Sequence, residues 1–333
     1  MSLMRGHNIP KSSKILLSIL LTTTTTLFIL KYRTYNYLKL QDPTLEVSFH
    51  DINIPFIQLI PNSTIYNPWC IITSIFAEIS LITFIFSSIV LFIGSKFVER
   101  FWGYLEVLKF IYIIGSITNL ITVLIAILSN IARSDSKNMN SPLGGGISYY
   151  FGFLVVFKQL IPEHNIVLFQ GLINFRIKHL PFALLIILSL WSILFGSLYP
   201  AVPSTISFFI SFIYLRFFQI IKSDTLLPTN NNQDISVIKG DASDTFQLVE
   251  FFPNVLKPYL TPIFNQIYEI AIFLAIITPF NDDIVQQSNT RALKRQEQVN
   301  QINKSVASSV AERRRQIALQ VIEDRINKES GKV

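Results

Sequence analysis

Long apolar runs constrain this chain more than any other feature. Residues 15–30, 69–94, 105–131, 144–160, 181–199 and 202–221 are apolar stretches. Each approaches the roughly 20 residues that an α-helix needs to cross bilayer hydrocarbon, the first and fourth being short. Half of the 333 residues are hydrophobic, 15% are charged and the mean hydropathy is +0.44. Such a chain is too apolar for a soluble domain. The pattern predicts an all-α, polytopic membrane protein: a six-helix bundle over 1–221, then a tail over 222–333.

The fourth run differs from the rest. Ser141-Pro142-Leu143-Gly144-Gly145-Gly146 opens on a proline turn and three glycines before the apolar helix begins. A glycine costs roughly 1 kcal/mol relative to alanine in a helix interior, so several together need a reason. In membranes that reason is close approach of neighbouring helices. The fourth run is therefore expected to form the central helix, with the others wrapped round it.

Residues 1–14 carry Arg5, Lys11 and Lys14 and no acid, and the first acidic residue is Asp42. A cleaved signal peptide and a mitochondrial presequence are the alternatives to an uncleaved first helix. No Ala-x-Ala pattern follows and more spans do, which favours the uncleaved helix. Residues 31–67, with Pro43, Pro55 and Pro61, read as a long loop, and 95–104 as a short charged turn. With a cytosolic N-terminus, Arg5, Lys11, Lys14, Lys96, Arg100, Lys158, Arg176, Lys178, Arg216 and Lys222 fall inside. Only Lys31, Arg33, Lys39, Arg133 and Lys137 fall outside, so both termini are expected in the cytosol. Asn62-Ser63-Thr64 is a glycosylation sequon on the lumenal side, close to Trp69.

In the tail, 223–247 is polar and reads as a linker. Residues 251–280 are apolar but cut by Pro253, Pro258, Pro262 and Pro279. Phe264–Thr278 carries Gln266 and Glu269, so a helix on the membrane surface or the bundle is favoured over a seventh span. From Asp283 to Asn327 the pattern is helical. Ile317, Val321, Ile322 and Ile326 share one face, opposite Arg313, Arg314 and Arg315. That helix is either simply solvated or a docking helix for a cytosolic partner.

Three polar residues carry the chemical question. Glu78 reads as an ionisable group inside the second span, a functional candidate or a structural acid paired with Asn119 or Lys109. Lys158, beside Gln159, is expected to snorkel to the cytosolic face. Ser148 is expected to bond a neighbouring carbonyl. One cysteine, Cys70, excludes an intrachain disulfide framework and a cysteine metal cluster. Gly144-Gly145-Gly146 lacks the Lys-Ser/Thr of a phosphate loop, so no cofactor or metal is expected. The net charge of +7 follows the loop bias and does not imply nucleic acid.

The run Trp69-Cys70-Ile71-Ile72-Thr73-Ser74-Ile75-Phe76-Ala77-Glu78 resembles the start of the second helix of rhomboid intramembrane proteases. Glu99-Arg100-Phe101-Trp102-Gly103 is similar to the charged turn after it, and the glycine-rich run to the helix bearing their nucleophile. Aligned on Phe151-Gly152, Ile147 stands where the serine should be and Ser148 one place later, about 100° round the helix. Glu78, Thr83 and Ser87 occupy the positions of two histidines and an asparagine, and 202–221 holds no histidine.

One rhomboid-like branch fits better. Asn67-Pro68-Trp69, Thr73-Ser74, Glu78, Trp102-Gly103-Tyr104-Leu105-Glu106 and Lys109-Phe110 resemble the transmembrane protein 115 family. So do Phe151-Gly152-Phe153-Leu154-Val155, Lys158-Gln159-Leu160-Ile161-Pro162-Glu163-His164, Gly240-Asp241-Ala242-Ser243-Asp244-Thr245-Phe246, Phe251-Phe252-Pro253 and Ala311-Glu312-Arg313-Arg314-Arg315. The resemblance implies a non-catalytic, rhomboid-like Golgi membrane protein. It also implies retrograde Golgi-to-ER transport, the conserved oligomeric Golgi tethering complex, and normal glycosylation. The expected partners are thus a tether or coat met by the tail, transmembrane cargo, and a second copy of the chain. The competing readings are a rhomboid-type protease using Ser148 and a transporter using Glu78. An ER or mitochondrial membrane is the alternative location.

Overall fold

The computed structural model describes residues 9–41, 48–133, 136–162, 165–168, 173–222 and 237–297. The acid-free residues 1–8, His164, the Asn230-Asn231-Asn232 run, and everything from residue 298, including Arg313, Arg314 and Arg315, lie outside these. The expectations for them are left where the sequence put them.

Among the described residues the longer helices are α1 (Lys11–Gln41), α2 (Leu81–Trp102), α3 (Tyr104–Arg133), α4 (Ile147–Leu160), α5 (Leu180–Phe195), α6 (Ala201–Ile213), α7 (Lys257–Phe273) and α8 (282–297). A wider helical turn, Tyr214–Phe218, prolongs α6, and a tighter one, Ile177–His179, precedes α5. Counting these extensions, α1, α2, α3, α5 and α6 are long and apolar enough to cross a membrane. The protein is an all-α, polytopic membrane protein. Among the described residues the strands form two short antiparallel pairs, β1 (Asn165–Leu168) with β2 (Ile173–Arg176) and β3 (Ile220–Lys222) with β4 (Val237–Lys239).

At 14 residues, α4 is about 21 Å long, shorter than the hydrocarbon of a bilayer. It is nonetheless the most enclosed helix. Tyr149, Phe153, Val155 and Val156 are all at most 1% exposed, and α3, α6, α2 and α5 pack around it. The expectation of a central helix holds. Because protein surrounds it, α4 need not match the membrane's thickness itself.

Several boundaries differ from the sequence reading, each for a local reason. The second span does not begin at Trp69. Cys70–Thr73 and Ser74–Phe76 form short turns, the chain breaks over Ala77–Ser80, and α2 starts at Leu81. The start is fixed by a reciprocal cap: Ser80 Oγ accepts from the Thr83 amide at 3.2 Å, and Thr83 Oγ1 from the Ser80 amide at 3.3 Å. The Phe76 carbonyl, freed by the break, accepts from the hydroxyls of Thr23 at 2.9 Å and Thr24 at 3.0 Å. The threonine run of α1 thus supplies donors where the backbone lacks them.

The charged turn expected over 95–104 is helix as far as Trp102. Only Gly103, at φ +82°, turns the chain. Residues 31–41, expected as loop, continue α1. The start of that helix docks on the end of α2, where the Glu99 carboxylate accepts from the amides of Lys11 at 3.2 Å and Ser12 at 2.9 Å. An acid at a helix N-terminus satisfies orphan amides and complements the helix dipole.

Of the 223–247 stretch expected as a linker, the described residues 237–247 are packed against the bundle, as are 248–252 after them. After β4, Asp241 and Phe246 are buried, and Phe246 and Phe251 belong to the same apolar core as Phe110, Phe153 and Phe208. By contrast α7 has no buried residue, in keeping with a helix lying against the bundle or the membrane.

Candidate functional site

The short central helix α4 has a carboxyl group at one end and an amine at the other, both buried. At its start, Glu78 sits in the break before α2, not inside a span, and is 5% exposed. Its Oε1 accepts from the Gly146 amide at 3.1 Å and from the Ser87 hydroxyl, which also bonds Tyr150. Gly146 is the N-cap of α4, so the carboxylate lies against the positive end of that helix. The partners expected for Glu78 are engaged elsewhere. Asn119 donates to the Ile71 carbonyl at 2.8 Å and to Ser74 Oγ at 3.0 Å, and Lys109 lies 4.0 Å from Glu106 on an exposed face.

The glycines before α4 serve this junction. The Leu143 amide bonds the Leu59 carbonyl at 2.9 Å, and the Gly145 amide the Ser74 carbonyl at 3.0 Å. A Cβ on Gly144 would come within 2.9 Å of the Ser74 side chain, and one on Gly146 within 2.8 Å of the Glu78 carboxylate. Close approach was the right reason for these glycines, but the approach is of loop to loop and loop to carboxylate. Gly152 alone of the expected set serves helix packing, facing the Phe110 ring and Ser211. Tyr149, Tyr150 and Tyr199 complete the surroundings of Glu78. The Tyr199 hydroxyl and Glu78 Oε2 would lie 3.7 and 3.9 Å from a Cβ on Gly145.

Ser148, one residue into α4, is buried, and its hydroxyl has no hydrogen-bond partner among the described residues. The expected bond from its hydroxyl to a carbonyl is not formed. Its own carbonyl instead accepts from Ser207 of α6.

At the other end, Lys158 does not snorkel. It is 1% exposed, donates to the Thr245 carbonyl, and lies 4.7 Å from the Phe251 ring centre and 5.6 Å from that of Phe246. In its protonated form an amine near the C-terminus of α4 complements the dipole there. Beside it Gln159 Nε2 donates to Asp241 Oδ2 at 2.9 Å, and the same carboxylate oxygen takes Arg295 of α8 at 2.9 Å. Arg216, in the turn after α6, donates to the carbonyls of Asp241 and Ser243, each at 2.7 Å. Burial works against ionisation of Asp241, but the Arg295 charge and the hydrogen bonds from Arg295, Ser243 and Gln159 hold its carboxyl below the usual range.

The other expected residues hold the frame. Trp69 Nε1 donates to the Phe56 carbonyl at 3.0 Å and Thr73 Oγ1 to the Ile57 carbonyl at 3.3 Å. The Trp102 ring lies 5.4 Å from that of Phe110, Glu106 stays on the surface with Lys109, and Pro162 follows the end of α4. Sequence reasoning missed Asp241, Arg216 and Arg295. The signal was present in Gly240-Asp241-Ala242-Ser243, quoted as part of a resemblance yet read as linker.

The chain is similar to known sequences over most of its length. The family described as eukaryotic integral membrane protein (DUF1751) matches residues 14–328. The chain is 33% identical over 335 residues to the transmembrane protein 115 homolog of Saccharomyces cerevisiae, covering 98% of this chain and 95% of that one. It is 32% identical over 221 residues to rhomboid-like protein 19 of Arabidopsis thaliana, covering 66% and 67%. To transmembrane protein 115 of Mus musculus it is 23% identical over 249 residues, covering 71% and 61%. No solved structure matches.

Proposed function

We propose, starting from the fact that this chain belongs to the transmembrane protein 115 family of eukaryotic integral membrane proteins, that it is a non-catalytic, rhomboid-like protein of the Golgi membrane. In this reading it acts in retrograde Golgi-to-ER vesicle transport and so maintains glycosylation. Family membership over residues 14–328 is the observation that carries the proposal.

The geometry around α4 supports the non-catalytic half. A serine nucleophile needs a base within hydrogen-bond reach. The Ser148 hydroxyl has no partner of any kind among the described residues. Glu78, the acid of the same junction, is committed to Gly146 and Ser87. Such a bundle binds transmembrane segments laterally, as single spans or a second copy. Its segment from residue 298, with Arg313, Arg314 and Arg315, recruits a tether or coat in the cytosol, on the side of both termini.

The test is removal of the protein from its host cell, followed by return of a tagged full-length copy and of a copy ending at residue 297. The tagged copy should co-localise with Golgi markers, and loss should leave glycoproteins under-modified until it is returned. The shortened copy should reach the Golgi without restoring them. A mitochondrial or ER-only pattern, or glycoproteins unaffected by loss, would sink the reading. Labelling of Ser148 by a fluorophosphonate probe, lost in Ser148→Ala, would sink its non-catalytic half.

A further inference from the structure

A groove of about 680 Å3 runs between the end of α6 and the inner face of α7. Phe209 and Phe212 form one wall, Phe264 and Ala271 the other, and Arg216 and Asp244 stand at its polar mouth. This volume lies within the roughly 300–1,000 Å3 of small-molecule sites. Its walls are too apolar for a water-filled cleft.

The surroundings of the groove say what it meets. α6 is a spanning helix, so Phe209 and Phe212 lie at membrane depth. On the opposite face of α7, Tyr259 is 72% and Phe273 88% exposed, with Ile263 and Ile270 exposed between them. Apart from Thr261 and Asn265 on the groove side and Gln266 and Glu269, α7 is largely apolar and nowhere buried, which suits a helix lying beside hydrocarbon. An unfilled groove there would forfeit dispersion contacts along both walls, and acyl chains are the apolar molecules at hand.

The mouth selects among lipids. Arg216 spends Nη1 on two neutral carbonyls, and its guanidinium lies 5.1 Å from the Phe280 ring centre. No carboxylate reaches it within salt-bridge distance among the described residues. Asp241 is paired with Arg295 at 2.9 Å, and Asp244 accepts from Asn289 at 2.7 Å and Gln247 at 3.3 Å. Arg216 thus has Asp241 and Asp244 near it but no carboxylate in direct contact among the described residues, and a guanidinium fork suits phosphate oxygens. We propose that the groove holds an acyl chain of an anionic glycerophospholipid, with its phosphate against Arg216.

The experiment uses full-length protein in vesicles of mixed anionic and zwitterionic phospholipids, some carrying a diazirine at the acyl-chain end. Photolysis should place cross-links on Phe209, Phe212 and Phe264, above the level on the outward residues of α5 such as Ile193. Protein purified in mild detergent should retain anionic over zwitterionic lipid. Ala271→Trp, which fills the groove, should lower retention about tenfold, or 1.4 kcal/mol, while Ile193→Trp should not. Arg216→Lys should keep the cross-links and weaken the preference for anionic lipid. Cross-links spread evenly over the lipid-facing helices would overturn the proposal. So would equal retention of zwitterionic lipid, or capture of the 298–333 segment or another protein's span in the groove. The cross-linking arm needs no variant, so misfolding of Ala271→Trp would leave the test intact.

Discussion

Gln159 donates its side-chain amide to the Asp241 carboxylate at 2.9 Å, tying the end of α4 to a segment 82 residues further along the chain. That bond, with Arg295 on the same carboxylate, makes the start of the tail part of the membrane bundle.

Asp241→Asn should therefore be costly. It removes the charge facing Arg295, whose side chain is only 17% exposed. Breaking a buried pair from one side costs about 3–5 kcal/mol. Thermal unfolding in detergent at neutral pH should show a large fall in Tm, and protease should cut the 237–252 segment sooner.

The same carboxylate fixes a pH response. Its folded pKa is depressed, so its contribution is fully present above the unfolded value, about 3.9 for an aspartate. It is lost as pH falls through the lower folded value. Wild-type stability should be insensitive to this group at neutral pH and decline in acid below about pH 4. Asp241→Asn, unfolded in parallel, should lack that part of the decline.

Phe251→Ala tests the seal over Lys158. The ring is fully buried, and truncating a buried phenylalanine costs about 3–5 kcal/mol. The loss should show as a lower Tm and as a Lys158 amine newly reactive to acylating reagents, read by mass spectrometry of the labelled peptide.

Glu78 separates hydrogen bonding from charge. In Glu78→Gln the amide oxygen, placed where Oε1 stands, still accepts from both Gly146 and Ser87. A change under about 1 kcal/mol is expected. Glu78→Leu leaves the Gly146 amide buried without an acceptor and should cost about 1–3 kcal/mol. Equal losses in the two variants would mean that the charge, and not the bond, holds α4.

Two glycines should respond for different reasons. Gly103 has φ +82° with nothing within 4 Å of its absent Cβ, so Gly103→Ala should cost backbone strain of order 1–3 kcal/mol. Gly146→Ala would press a methyl to 2.5 Å from the Tyr149 hydroxyl, and only overpacking is at issue. Tyr149→Phe should rescue Gly146→Ala only in part, because the ring carbon and the Glu78 carboxylate stay 2.8 Å from the methyl, and should leave Gly103→Ala unchanged in the same melting assay.

The spans, the enclosed fourth helix and the family were legible because hydropathy and local motifs are written in adjacent residues. The break at Ala77–Ser80 was not. Its residues sit inside a run that is apolar on average despite Glu78 and Ser80, and the carbonyl it frees is met by Thr23 and Thr24 of another helix. Lys31–Gln41 looked like loop by polarity, yet the helix continues. The clasp on α4 was hidden for a related reason. Gln159, Asp241 and Arg295 are far apart in the chain, and a polar stretch reads as linker until its partners are known. Glu78 was singled out correctly as an unusual acid, but its partner is a backbone amide, which no side-chain pattern announces.

The distance along the chain from Lys158 to Thr245 also sets a schedule. They are 87 residues apart, which a ribosome covers in roughly 4–17 s at about 5–20 residues per second. Throughout that interval α4 is already made, and its lysine has neither the carbonyl nor the rings that later enclose it. The nascent bundle therefore spends its first seconds with a charge awaiting its cover. The membrane part is thus complete only when a segment outside the spans has arrived.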